Sequence, residues 1–200
     1  MIKRLTNVIV YTIPEQTIIN SLPTPPNKSY WNRLRVVPIK DRIKTEMLSF
    51  QDNLCCYCGL ELFGTSRPEI EHIADQARYT QFLFTEQNLA ISCQNCNSSS
   101  KKGSRNVIGT INPIYSNCRF IIVHPYLDDP NDHYEWTNNL FKILIKHKSI
   151  KGQCSITIFE LDSEYHTSKR AHELRIRQLE AIYNIPRNII NRVKSALEAF

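Results

Sequence analysis

The residues able to do chemistry are gathered between positions 55 and 102. Cys55, Cys58, Cys93 and Cys96 form two C-x-x-C pairs with 34 residues between them. Each pair can offer two thiolates to one metal from a tight turn, and two such turns complete the tetrahedral four-sulfur site that zinc prefers. A site closed in this way has no open coordination position, so its metal would staple the fold and do no chemistry. Cys56 is out of phase with the pairs, and Cys118 and Cys154 stand alone as small buried hydrophobes. Between the pairs, Glu69-Ile70-Glu71-His72 reads as a short alternating strand that puts a carboxylate beside a histidine. Asn88 precedes the second pair, Asn97 follows Cys96 at what reads as a helix start, and Lys101 and Lys102 come soon after.

Those residues together resemble the HNH nuclease family in its zinc-stapled form. The match runs through CCYCG at 55–59, IEHI at 70–73, NLAISCQNCN at 88–97 and KKG at 101–103, roughly residues 50–105. The resemblance implies a ββα-metal (His-Me finger) core, in which a hairpin and a helix grip one divalent cation. The chemistry of the residue types agrees with it. His72 is suited to take a proton from water near neutral pH. Glu71 and Asn97 offer hard oxygen ligands to Mg²⁺ or Mn²⁺, and Glu69 is a second carboxylate on the same strand face. By resemblance, Asn88 ties the loop and orients His72. Lys101 or Lys102 could contact a backbone phosphate. Three departures stand out. Asn97 sits where many relatives carry His, the lysine comes at least one residue late, and IADQARY after His72 lacks a frequent proline.

The remaining elements must position this segment. Residues 1–38 contain Pro14, Pro23, Pro25, Pro26 and Pro38 and read as an extended arm anchored by Trp31. Residues 39–52 place Ile39, Ile43, Met47 and Phe50 at helical spacing, leading straight into the first cysteines. Arm and helix carry eight Lys/Arg against four acids, most of the surplus in a chain of net charge +6. RFIIVH at 119–124 reads as a strand, followed by a polar loop. LFKILIKHKSI (140–150) and CSITIFEL (154–161) read as a strand hairpin turning at Lys151-Gly152. Two helices are expected next. The first has a face of His172, Ile176, Leu179 and Tyr183, widened by Ala171, Leu174 and Ile182. The second has a stripe of Ile189, Ile190, Val193, Leu197 and Phe200. His124 and His133 with Asp128, Asp129 and Asp132 are either a second metal site or turn-forming loop residues. His166 and His172 with Arg170, Arg175 and Arg177 are either a nucleic-acid-binding face or a solvated one.

The expected fold class is therefore α+β. An arm and helix (1–49) precede an HNH core (50–105) and an α+β extension (106–200) suited to partner docking. The chain has 200 residues, 42% apolar and 22% charged, which excludes a wholly disordered protein. No apolar run is long enough to cross a membrane, and the first residues lack a signal-peptide cleavage site. A cytoplasmic location with reduced thiols is the expectation.

The wider layout, from prolines and Trp31 through HPYLDDP to TIFELD and an Arg-rich helix, resembles the PtuB nucleases of Septu and retron-associated anti-phage systems. That resemblance implies an effector endonuclease working with an ABC/SMC-type ATPase (PtuA), and in some systems with a retron reverse transcriptase and its nucleic acid. The arm and the terminal helix stripe would be its docking surfaces. DNA is the default substrate, with tRNA or other RNA as an alternative. Two other readings keep the four cysteines without catalysis: a zinc module that binds nucleic acid, and a scaffold subunit.

Overall fold

The computed structural model describes residues 2–63, 67–138, 140–184, 186, 188–190 and 192. Its first departure from expectation lies in the arm, where α1 (Ile13–Asn20) interrupts the extended chain. Pro14 falls in the first turn, where a missing N–H costs nothing, and Thr12 and Glu15 close a capping box around it. The helix buries none of its own residues. Arg42 tethers it through Glu15 and also holds Glu46. Short 3-10 turns at Lys28–Asn32 and Leu34–Val36 then insert Trp31 and Val36 into the core. The arm is thus an integral wall of the domain.

Helix α2 (Val37–Phe50) buries Ile39, Ile43 and Met47, as the spacing predicts, while Phe50 stays partly exposed. Strand β1 (Pro68–His72) pairs antiparallel with β2 (Leu89–Cys93), setting Pro68 opposite Cys93, Glu71 opposite Ala90 and His72 opposite Leu89. Every residue of β2 is buried. The third part expected of a ββα core is not formed. Residues 94–104 run as consecutive turns, with Asn97 N–H on Cys93 O, Lys101 N–H on Ser98 O and Lys102 N–H on Cys96 O. The run NSSSKKGS holds several residues that favour turns over helix interiors.

Strands β3 (Ile108–Thr110) and β4 (Arg119–Phe120) pair with a register irregularity, so only the start of RFIIVH is strand. The polar loop contains the single-turn helix α3 (Pro130–His133) and β5 (Tyr134–Trp136), which pairs with β6 (Ile145–His147). The expected strand at 154–161 is instead helix α4 (Ile150–Phe159), capped by Ser149. It buries Gly152, Ser155, Ile156, Ile158 and Phe159, and four of these, Gly152, Ser155, Ile156 and Phe159, fall on one face at helical spacing. Two of those four are not hydrophobic, so the sequence shows β-branched residues and hides the helical period. Gly152 is a contact residue and not a turn former. A Cβ there would lie 2.1 Å from the His133 carbonyl oxygen.

Helix α5 (Glu164–Tyr183) lies where expected but presents the other face. His166, Arg170 and Glu173 are buried, whereas His172, Leu179, Ile182 and Tyr183 are exposed. Of the terminal stripe, Val193, Leu197 and Phe200 lie outside the described residues, and Ile190 is buried. Among the described residues no helix is long and apolar enough to cross a membrane.

Candidate functional site

The two C-x-x-C pairs meet. The four sulfurs of Cys55, Cys58, Cys93 and Cys96 lie within 4.8 Å of one another, all buried, and Cys58 and Cys93 Sγ are 3.9 Å apart. Zinc–sulfur bonds of about 2.3 Å in a tetrahedron set the sulfurs about 3.8 Å apart, so the cluster has the size of a four-thiolate metal site. The first turn is shaped for it. Gly59 takes φ +66°, and its N–H bonds Cys55 O. Cys93 N–H points at Cys55 Sγ (3.3 Å) and Cys96 N–H at Cys93 Sγ (3.4 Å), which favours thiolates. The cluster can hold a metal ion, and its donor set fits zinc. No disulfide joins any of these cysteines. Cys56 is buried beside the cluster, with its N–H on Ile91 O. Cys118 bonds the Asn112 backbone.

Glu71 and His72 diverge from adjacent positions to opposite faces of β1. His72 is buried, packed edge-on against Trp31 with ring centroids 4.5 Å apart. Its Nε2 lies 3.1 Å from Leu83 O. A carbonyl can only accept, so Nε2 carries the proton and Nδ1 keeps the lone pair. Burial pushes the His72 pKa down to about 4. The Lys102 and Lys40 charges add to this, and the Leu83 bond opposes it. The imidazole is therefore neutral at neutral pH.

On the other face, Glu71 accepts from Tyr57 Oη (2.9 Å) and pairs with Lys102 Nζ (3.1 Å). Burial raises its pKa, while the Lys102 charge and both hydrogen bonds work to lower it. Lys102 is 1% exposed, and its ammonium also reaches His72 O and Gly103 O, each at 3.3 Å. Lys101 is buried too and pairs with Glu160 at 3.3 Å. As placed, neither lysine turns its ammonium to solvent. Asn97 Nδ2 donates to Glu69 Oε2 (2.9 Å), and Glu69 also meets Arg67. The structure thus joins Asn97 to Glu69 and Glu71 to Lys102.

Asn88 is fully buried with its amide saturated. Oδ1 accepts from Ala74 N (2.6 Å) and Tyr115 Oη (3.0 Å), and Nδ2 donates to Ala74 O and Phe82 O. It pins both ends of the loop that carries Leu83 to His72. Behind it, His124 Nδ1 accepts from Tyr126 N and Leu127 N, so Nε2 carries the proton and donates to Tyr115 Oη (2.9 Å). A directed chain from His124 through Tyr115 to Asn88 results. His124 is thereby a core residue. His133 bonds Ser149, and Asp128 holds Lys151 and the His124 amide. These groups fasten loops, and among the described residues only the four cysteines cluster as a metal site.

Sequence reasoning missed three residues that build the site: Tyr57, Tyr115 and Lys102 in its buried role. Tyr57 lies inside the cysteine turn, which was the available signal. Tyr115 had none, since a lone tyrosine in a loop predicts no contact.

No protein-family model matches the chain. Among curated proteins it is similar to Septu protein PtuB of Bacillus mycoides (strain KBAB4), 26% identical over 160 residues, covering 71% of this chain. The match covers 54% of that relative, so the chain spans about half the length of the curated protein it matches. The layout read from the sequence and this similarity agree: the chain resembles PtuB.

Proposed function

We propose that this chain is the nuclease component of a Septu-type anti-phage defence system, an HNH endonuclease that hydrolyses phosphodiester bonds, with DNA as default substrate and tRNA or other RNA as the alternative. The observation that carries this reading is the setting of His72. It ends the strand beside the four-cysteine cluster, donates an Nε2–H hydrogen bond to Leu83 O and keeps a lone pair on Nδ1. A neutral, fixed imidazole of this kind can take a proton from an attacking water. Asn88 acts one step removed, by fixing the loop that holds Leu83. The similarity to a Septu protein supplies the defence setting. A PtuA-like ABC/SMC-type ATPase is the proposed partner, with the exposed end of α5 (Leu179, Ile182, Tyr183) as its contact within the 106–200 region.

The catalytic cofactor in this reading is Mg²⁺ or Mn²⁺, with oxygens from Glu71 and Asn97 and with Glu69 at hand. In the arrangement seen here Lys102 pairs with Glu71, and Asn97 gives its amide N–H to Glu69. The Lys102–Glu71 pair, which occupies a carboxylate that a catalytic cation would use, favours a second reading, a zinc module that binds nucleic acid without cutting it.

One experiment separates them. The protein is incubated with plasmid DNA and with total tRNA, with Mg²⁺, Mn²⁺ or EDTA, and with or without the ATPase. Cleavage should require the divalent ion. His72→Ala should lower it by about 10²–10⁴-fold with zinc content and fold unchanged. Undiminished cleavage by that variant would remove His72 as the base. Binding without cleavage under every condition would favour the second reading.

A further inference from the structure

Helix α5 packs on the knuckle through a polar stripe, and one member of that stripe is left incomplete. Arg170 is 7% exposed. Its Nη1 donates to Leu161 O (2.7 Å) and Ile143 O (3.2 Å), and its guanidinium lies over the Trp136 ring at 5.2 Å. Nε and Nη2 are buried and have no partner. These two N–H groups form the side-on fork of a guanidinium, the edge that grips paired acceptors. Glu173, one helical turn along, does not fill it; its oxygens accept from Glu61 N (2.8 Å) and Arg177 Nη2 (3.0 Å). Arg170 and the knuckle residues Cys58, Gly59 and Leu60 line one small cavity of about 140 Å³. Burial lowers the Arg170 pKa, and negative charge at Cys58, Glu173, Cys96 and Asp162 works against that.

A divalent metal with four thiolates carries a net charge of −2, here in the interior. A buried charge is tolerated when it is paired and hydrogen-bonded. We propose that Arg170 is the counter-charge of the metal centre: its open fork makes no direct bond to a cysteine sulfur, and serves the metal-bound thiolates on the Cys58 side across the small cavity they share, so that α5 and the metal hold each other in place. His166 does not share the task. Its Nδ1 donates to Glu160 O (2.8 Å), which leaves Nε2 with a lone pair and no proton to give. This makes the C-terminal helix part of the metal site. Metal loss then frees the helix that carries the exposed Ile182 and Tyr183. The inference rests on the metal centre and is independent of nuclease activity.

The test uses the full chain loaded with zinc, and compares Arg170→Met and Arg170→Lys with Arg175→Met, an exposed position on the same helix. Zinc release to excess chelator should be about 10–100-fold faster in Arg170→Met, the usual effect of losing an outer partner of a metal ligand, and unchanged in Arg175→Met. In the cobalt-substituted protein, losing N–H donors raises the thiolate lone pairs. The sulfur-to-cobalt charge-transfer band should therefore move to lower energy in Arg170→Met. Arg170→Lys, which keeps the charge without the fork, should show the same shift and keeps the test open if the methionine variant does not fold. Release rates and band positions equal to wild type in both variants would overturn the proposal. So would a release rate set by added phosphate, which would give the fork to a free anion. Wild-type protein that takes up no metal would overturn the metal centre itself.

Discussion

Replacing His124 with Asn should make stability less sensitive to acid, by an amount the structure fixes. His124 is fully buried, and burial pushes its pKa from 6.5 down to about 3; Lys151 adds to the depression and Asp128 opposes it. The folded value lies below the unfolded one, so as pH falls through 6.5 the unfolded chain takes up the proton first. Stability from this residue is intact above pH 6.5 and is lost progressively toward pH 3. By linkage the loss is small at pH 7 and about 2 kcal/mol at pH 5. An asparagine can place its oxygen near Nδ1 and keep the Tyr126 and Leu127 amides satisfied. It gives up the bond to Tyr115. The variant should be less stable at pH 7 by about 1–3 kcal/mol. The gap to wild type should then narrow by about 2 kcal/mol between pH 7 and pH 5. Urea unfolding of both proteins across that range measures it, and the acid sensitivity of the four thiolates cancels in the difference. A gap constant with pH would refute the assignment of His124 as a buried neutral histidine.

Two other substitutions probe what holds the site. Cys93→Ser should reduce bound zinc below one equivalent by elemental analysis and strip hydrogen-exchange protection from β1 and β2; full metal content with protected strands would show that four sulfurs are not the site. Gly152→Ala sets a methyl against the His133 carbonyl, which also accepts Lys148 N–H. Overpacking should cost about 1–3 kcal/mol and outweigh the helix-propensity gain of alanine, so the melting temperature should fall; a rise would mean α4 does not approach that close.

How much of this was legible follows from what each signal depends on. The four cysteines were readable because a metal imposes spacing that sequence displays. Helix α2 was readable because its buried positions Ile39, Ile43 and Met47 are all apolar. Helix α4 was not, since its core face includes Gly152 and Ser155, the latter accepting Val123 N–H. Helix α5 inverted the usual inference. Its Leu179, Ile182 and Tyr183 point outward and its buried residues are His166, Arg170 and Glu173, because what it packs against is polar backbone and the cysteine knuckle. Glu71, His72, Asn88 and Asn97 could be named from the sequence, but not their partners. Whether a carboxylate meets a metal or a lysine is decided by a loop that comes back from thirty residues away.

The hairpin that carries His72 has only two five-residue strands, and a lone two-stranded hairpin is marginal in water. The outer edge of β2 therefore needs substitutes for a third strand. Alternate residues along that edge show what they are. Leu89 O accepts from Tyr126 Oη at 2.7 Å. Ile91 N and O are both met by the Gln51 side-chain amide, at 2.7 and 2.8 Å, and Cys56 N–H joins at the same carbonyl. Cys93 N–H reaches Cys55 Sγ. The two remaining outward groups are met by local turns, Leu89 N–H on Glu86 O and Cys93 O accepting Asn97 N–H, so the edge is closed without a strand. The metal site and the His72 site are in this sense one device. The knuckle that gathers the sulfurs also completes the strand opposite His72, so a metal held by the four cysteines would also firm the bed on which the imidazole is set.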